Sequence, residues 1–181
     1  MTKEIRDKIA KYGSQIDIFI EKQEYEKLKL LLDEMEQYAS TEEEIKNDAL
    51  FNYFLGTGYG TYSDSIISSG KAPIDTAVVE MRRKSMFCLR EAIKNAIPAD
   101  HIDSRIKFRI LTNYANELDN AGRVFEALRI YREVLKENEK FSMALGNYGR
   151  ALQFLANIVN DGGITMNSIV THIKQSKGHF L

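Results

Sequence analysis

Few side chains in this sequence could do chemistry, and their spacing decides which chemistry that would be. Cys88 is the only cysteine, and the histidines are His101, His172 and His179. A thiol or imidazole becomes a nucleophile or metal ligand only beside a base or further donors. His172 and His179 stand seven apart, no His-Glu-x-x-His occurs, and nothing in the sequence nominates a base for Cys88. One thiol forms no internal disulfide or multi-cysteine cage and fits a reducing compartment. Cys88 is therefore expected in a core, and His101, after Pro98-Ala99-Asp100, at a helix start. No metal or cofactor is expected.

Other groups of residues read the same way. Glu34 with Glu36, and Glu42 to Glu44, could be acid–base pairs, but a raised carboxylate pKa needs burial that a run of charges does not suggest. Gly56-Thr57-Gly58-Tyr59-Gly60 has alternating glycines but no preceding strand, no lysine-hydroxyl pair and the wrong spacing for a dinucleotide fingerprint. Its glycines are expected to let a neighbouring helix approach, at about 1 kcal/mol each in helix propensity. Arg82-Arg83-Lys84 is the densest basic cluster, and the aromatics near it keep core spacing instead of forming a stacking platform.

The elements that must position these residues are helical. From Ile5 to Ile20 the apolar residues Ile5, Ile9, Tyr12, Ile16, Phe19 and Ile20 fall three and four apart. After a break at Lys22-Gln23, Tyr25, Leu28, Leu31, Leu32, Met35 and Tyr38 repeat the pattern, which predicts an antiparallel hairpin. Ser40-Thr41-Glu42-Glu43-Glu44 reads as a cap for a third helix over about 42–62. Residues 63–75, rich in Ser and Gly and containing Pro73, read as a loop. A fourth helix is expected over about 75–96, stopped by Pro98. Its core is Val78 or Val79, Met81, Phe87 or Cys88, Leu89 and Ile93. Further helices are expected over 103–120, 124–138 and 141–159, with Ala121-Gly122-Arg123 as a turn and Asn160-Asp161-Gly162-Gly163 as a helix end. Residues 164–181 read as a polar tail in which Ile169, Val170 and Ile173 suggest a short capping helix.

Composition agrees. Two prolines in 181 residues compare with about 5% in soluble proteins, which favours long helices over a sandwich or barrel. Lys+Arg is 25 and Asp+Glu is 26, so no global field draws nucleic acid or an anionic membrane. Residues 1–50 carry a net charge of −5 and the rest +4. No stretch approaches 18 apolar residues, and no apolar run follows the first eight residues. These features predict a cytoplasmic all-α protein with no membrane partner.

An internal echo organises the helices. Leu111, Asn113, Tyr114, Ala115 and Leu118 return 34 positions later as Leu145, Asn147, Tyr148, Gly149 and Leu152. With helix-turn-helix content, this period resembles the tetratricopeptide repeat. The segment 105–152 carries the resemblance most fully: Tyr114-Ala115 stands at the family's Leu-Gly pair, Gly122 at the turn, and Ala127, Tyr131 and Val134 at the small, aromatic and small sites of the second helix. Glu139 replaces the frequent proline. Leu55-Gly56 with Tyr59 repeats the first-helix signature upstream, and Leu89, Ala92 and Ile97-Pro98 follow if about 17 extra residues are accommodated. More loosely, the match spans 5–160.

The resemblance implies antiparallel hairpins, about 5–38, 42–98 with the inserted loop 63–75, 103–138 and an incomplete 141–163, stacked as a short right-handed superhelix in one domain, 1–163. First helices would line the concave side. The exposed inner positions implied by the family are Tyr53, Thr57, Arg109, Thr112, Asn116, Asp119, Gly146, Arg150 and Gln153, with Asn113 and Asn147 holding the repeated helix contacts. Some relatives clamp a peptide carboxylate there. Asn116, Arg109 and Arg150 suit that role, but Thr112 stands where the clamp has a lysine.

Such a protein is expected to be a non-catalytic scaffold for a protein or peptide, able to pair two chains through an exposed repeat end. Residues 144–157 also resemble the last repeat of bacterial proteins in which a tetratricopeptide region precedes a HEPN-type RNase domain. That nuclease needs an arginine followed four to six residues later by histidine, and no arginine follows Arg150. On this alternative the chain is a regulatory or sensor module of an RNA-processing or defence effector, without the catalytic part.

Overall fold

The structure, a computed structural model, describes residues 1–162. Every regular element among them is a helix. Helix α1 (Lys3–Glu21) opens where the Thr2 hydroxyl accepts from the Ile5 N–H at 3.3 Å. Its stripe of Ile5, Ile9, Tyr12 and Ile16 is buried against Leu28, Leu31, Leu32 and Met35 of α2 (Tyr25–Thr41). Both helices lie where the three-and-four spacing puts them.

The third expected helix is different. The hydroxyls of Ser40 and Thr41 cap nothing ahead of them: they donate backwards to the carbonyls of Gln37 (2.6 Å) and Tyr38 (2.9 Å), so α2 continues through Thr41. A single turn, α3 (Glu43–Lys46), buries Ile45. The long helix α4 (Ala49–Ser68) begins later, where the Asp48 carboxylate accepts from the Phe51 N–H at 2.8 Å. Buried Asn52 holds this junction by donating to the carbonyls of Lys46 and Asp48 at 2.8 and 2.9 Å.

At its far end α4 takes in half of the expected loop. Ser63, Ser65 and Ser68 donate to the carbonyls of Gly60, Tyr62 and Asp64 at 2.7 to 2.9 Å. Serine is a poor helix former because its hydroxyl competes for backbone groups, but these hydroxyls bond within the helix and leave it intact. The irregular segment shrinks to 69–75. Helix α5 (Thr76–Ala96) follows, capped by the Asp75 carboxylate on the Ala77 N–H at 3.0 Å. Val78 and Cys88 are its buried choices, while Val79 and Phe87 face out.

The glycines of α4 are packing devices. A Cβ on Gly56 would stand 2.8 Å from Leu89 Cγ and 3.1 Å from both the Leu89 nitrogen and the Ser85 oxygen of α5. Ser85 seals the approach by donating to the Gly56 carbonyl at 2.8 Å, fully buried. Gly58 does the same for α2, where Leu32 Cδ2 would lie 2.5 Å from an added Cβ.

Helix α6 (Ser104–Asn120) is followed by α7 (Val124–Glu137) and α8 (Ser142–Gly162). The last runs about one turn beyond its expected end at Val159. Consecutive helices pack against one another, as in stacked helical hairpins. The chain forms two compact units, Met1–Asn113 and Tyr114 onward, and the division falls within α6. In the first, Ala49, Ala92, Ala96 and Ile110 form a small core joining α4, α5 and the start of α6. In the second, Ala115, Leu118, Ala127, Tyr131, Val134, Ala144 and Ala151 are buried.

Helices α1, α4 and α6 end alike. Gln23, Gly70 and Gly122 have φ of 56°, 99° and 77°. The next N–H reaches five residues back in each case: Glu24 to Phe19 (2.8 Å), Lys71 to Ile66 (3.3 Å) and Arg123 to Leu118 (2.8 Å). This is the Schellman reversal, which satisfies the last carbonyls and turns the chain back. Glycine suits two of the three; Gln23 adopts the left-handed conformation at a cost of about 1 kcal/mol.

No helix among the described residues is long and apolar enough to cross a membrane. The expected short helix around Ile169, Val170 and Ile173, and the two histidines His172 and His179, lie outside the described residues.

Candidate binding faces on the first helices

In the first compact unit, Tyr53 and Thr57 of α4 come together with Arg109 and Asn113 of α6. The Asn113 side-chain amide donates to the Thr57 hydroxyl at 3.0 Å. Burial raises the Tyr53 hydroxyl above its ordinary range; the Arg109 guanidinium is the largest opposing influence, while Asp17 of α1 adds to the rise. The Tyr53 ring stacks at a tilt on Phe54, 5.3 Å between centroids. Arg109 itself is exposed. The result is a half-buried aromatic and hydroxyl surface with one outward cation.

In the second unit, Asn116, Asp119, Asn147 and Arg150 form the corresponding surface. Asn116 Oδ1 accepts from the Tyr131 hydroxyl and from the Asn147 side-chain amide, both at 2.7 Å. Asp119 and Arg150 are 3.8 Å apart, the carboxylate mostly covered and the guanidinium largely in solvent. Burial pushes the Asp119 carboxyl up, and Arg150 pulls it back. Burial likewise raises the Tyr131 hydroxyl, with Asp119 adding to the rise and Arg150 opposing it.

One expected face residue is placed otherwise. Thr112 is fully buried, one turn before fully buried Ala115 on the covered side of α6, and its hydroxyl has no hydrogen-bond partner among the described residues. It cannot present a polar group to a ligand. Gln153 is exposed and donates along its own helix to the Asn157 side-chain oxygen at 3.0 Å. Gly146 faces open space.

Cys88 is buried, and burial pushes its thiol up to about 12, with Glu36 adding and Lys84 opposing. Each member of the basic cluster has an acidic neighbour: Arg82 Nη2 lies 2.5 Å from Asp64, Arg83 Nη2 2.8 Å from Glu80, and Lys84 Nζ 2.7 Å from Glu36. Glu34 accepts from the Tyr12 hydroxyl at 2.9 Å. Among the described residues no group of three His, Cys, Asp or Glu side chains is placed to hold a metal ion.

Two clefts in the first unit had no sequence signal. One, of about 490 Å³, is lined by Arg6, Ile9, Asp48, His101, Ile102 and Ile106. The other, of about 510 Å³, lies over Phe51, Leu55, Phe87 and Cys88, with Lys84 and Glu91 at its margin. Neither gathers residues from far apart in a way that spacing alone reveals. The Lys84–Glu36 pair at the second, for example, joins positions 48 apart on α5 and α2.

In comparisons with family models, curated proteins and solved structures, nothing matches this chain.

Proposed function

We propose that this chain is a non-catalytic, tetratricopeptide-like scaffold that recognises a protein or peptide through the faces of its first helices. One observation carries the reading. Asn147 donates to Asn116 and, 34 positions earlier, Asn113 donates to Thr57. Thr57 follows Leu55-Gly56 as Asn116 follows Tyr114-Ala115, so the two hydrogen bonds join equivalent places on successive first helices. A repeat register that recurs as a repeated contact supports hairpins stacked with their first helices side by side.

Arg109 and Arg150 are the exposed cations of these faces, beside Tyr53 and Thr57 in one unit and Asn116 and Asp119 in the other. They favour a partner segment carrying carboxylates, which can accept charge-assisted hydrogen bonds from guanidinium. The test is affinity capture with the intact protein and with the Arg109→Glu/Arg150→Glu double variant, checked for native helix content by circular dichroism. The expected result is at least a tenfold loss of affinity for the captured partner. Unchanged affinity in the folded variant overturns the assignment of these faces.

A further inference from the structure

One face of α5 is open along its length. Val79, Phe87 and Ile97 are about half exposed, and the exposed cations Arg83, Arg90 and Lys94 stand among them. At 3.6 residues per turn these positions fall within roughly a quarter-turn of one another, in a stripe about 27 Å long. Phe87 is also a wall of the cleft of about 510 Å³ whose floor is Phe51, Leu55 and Cys88. Clefts of about 300–1,000 Å³ with apolar linings are the ones that accept ligand groups. The charges beside it are unevenly matched. Arg83, Lys84 and Lys94 have Glu80, Glu36 and Glu91 at 2.8, 2.7 and 3.3 Å. Among the described residues no carboxylate is paired with Arg90, whose guanidinium lies 5.7 Å from the centroid of the Phe87 ring. A ring face attracts the charge but leaves the guanidinium N–H donors without acceptors.

We propose that this face of α5 docks an acidic amphipathic helix of a partner protein. A large apolar side chain of that helix sits in the cleft against Phe87, and a carboxylate one turn away pairs with Arg90. Charge complementarity selects the acidic partner, because the cation left over at this face is a guanidinium, which binds carboxylate through two parallel hydrogen bonds. The geometry selects a helix. A straight stripe with apolar residues at both ends and a cleft between them fits the apolar anchors that a helix presents at i, i+3, i+4 and i+7. A lipid surface fits less well: anionic membranes draw on clusters of basic groups, and here Arg83 and Lys94 are offset by Glu80 and Glu91. The surface belongs to α5 and not to the first helices, so it does not rest on the role proposed for Arg109 and Arg150.

The probe is a phage-displayed library of helical peptides, selected on the full chain. Enriched peptides are expected to carry a large apolar residue with Asp or Glu three or four positions away. The chain has no tryptophan, so Phe87→Trp provides a single fluorescent reporter, and an enriched peptide free of tryptophan should shift its emission to the blue. Affinity for that peptide should fall at least tenfold in Arg90→Glu, with native helix content checked by circular dichroism, and recover when the acidic residue of the peptide is changed to lysine. The Arg109→Glu/Arg150→Glu double variant should bind it as the parent does. Enrichment without the acidic–apolar pairing, an unmoved emission, or unchanged affinity in Arg90→Glu overturns the proposal. Loss of binding in the Arg109/Arg150 variant would assign the peptide to the first-helix faces and overturn it too. So would binding of the chain to phosphatidylserine-containing vesicles, lost in Arg90→Glu, with no peptide enriched: the face would then belong to a membrane surface.

Discussion

Asn116 and Asn147 meet across α6 and α8, the amide of Asn147 donating to Asn116 Oδ1 at 2.7 Å while the same oxygen takes the Tyr131 hydroxyl. One carbonyl oxygen thus fastens its own helix to the helix after it in the chain and to the next first helix. Replacing Asn116 by alanine strands two donors at once, one of them on fully buried Tyr131. A buried donor left without a partner costs about 1–3 kcal/mol. Asn116→Ala is expected to lower unfolding free energy in urea by about 2–3 kcal/mol, and Asn147→Ala by about 1 kcal/mol. A double-mutant cycle on the two should return a coupling of at least about 0.5 kcal/mol.

The two packed glycines of α4 should respond differently to alanine. At Gly56 the added methyl meets backbone atoms of α5 at 3.1 Å, which cannot yield without moving the helix. Overpacking of that kind costs about 1–3 kcal/mol, against about 1 kcal/mol gained in helix propensity. At Gly58 the obstacle is the flexible tip of Leu32. Thermal denaturation should show Gly56→Ala clearly destabilised and Gly58→Ala within about 1 kcal/mol of the parent.

Thr112 offers a gain. Its hydroxyl is buried with no partner among the described residues, so the fold bears the cost of dehydrating it and receives nothing in return. Valine keeps the branched shape without the hydroxyl. Thr112→Val is expected to stabilise the protein by about 1 kcal/mol, read as a higher urea midpoint with an unchanged slope. A loss of stability would mean that the hydroxyl is satisfied in solution.

Alkaline pH should unfold the chain through groups that the fold keeps neutral. The Cys88 thiol is raised from 9.0 to about 12, and burial also raises the hydroxyls of Tyr12, Tyr59 and Tyr131. An acid whose pKa is higher folded than unfolded holds its proton more tightly in the native state. Its contribution is complete below the unfolded pKa and is lost as pH rises through the folded one. For Cys88 the window is 9.0 to about 12, with a slope of roughly 1.4 kcal/mol per pH unit inside it. Cys88→Ala should make the fall of stability above pH 9 shallower, and tyrosinate absorbance should grow in together with the loss of helix.

Where periodicity alone decides an element, the sequence is a sufficient guide. Ile5, Ile9, Tyr12 and Ile16 are all buried on α1, and Leu28, Leu31, Leu32 and Met35 on α2, because one apolar stripe has one place to go. Helix ends were less legible. Ser40, Thr41, Ser63, Ser65 and Ser68 have side chains that either cap a new helix or bond back into the old one, and composition does not distinguish the two uses. The choice between Val78 and Val79, or Phe87 and Cys88, depends on the rotation of α5 against α4, which the Gly56 contact sets. On the candidate faces, Asn113 and Asn147 were visible through their 34-residue spacing, and both make the contacts implied for them. Thr112 was misplaced because repeat alignment assigns a position and not its depth: its neighbour one turn on, Ala115, is fully buried, and Thr112 shares that side of the helix.

The three Schellman reversals bear on how the chain acquires its structure. Each is closed by backbone groups only five residues apart, at Gln23, Gly70 and Gly122. No distant segment has to arrive before the turn can form. Contacts close in sequence are cheap in loop entropy and favour fast folding, and a chain with such turns can set its hairpins in order as it leaves the ribosome. An early hairpin need wait only for its immediate successor to cover it.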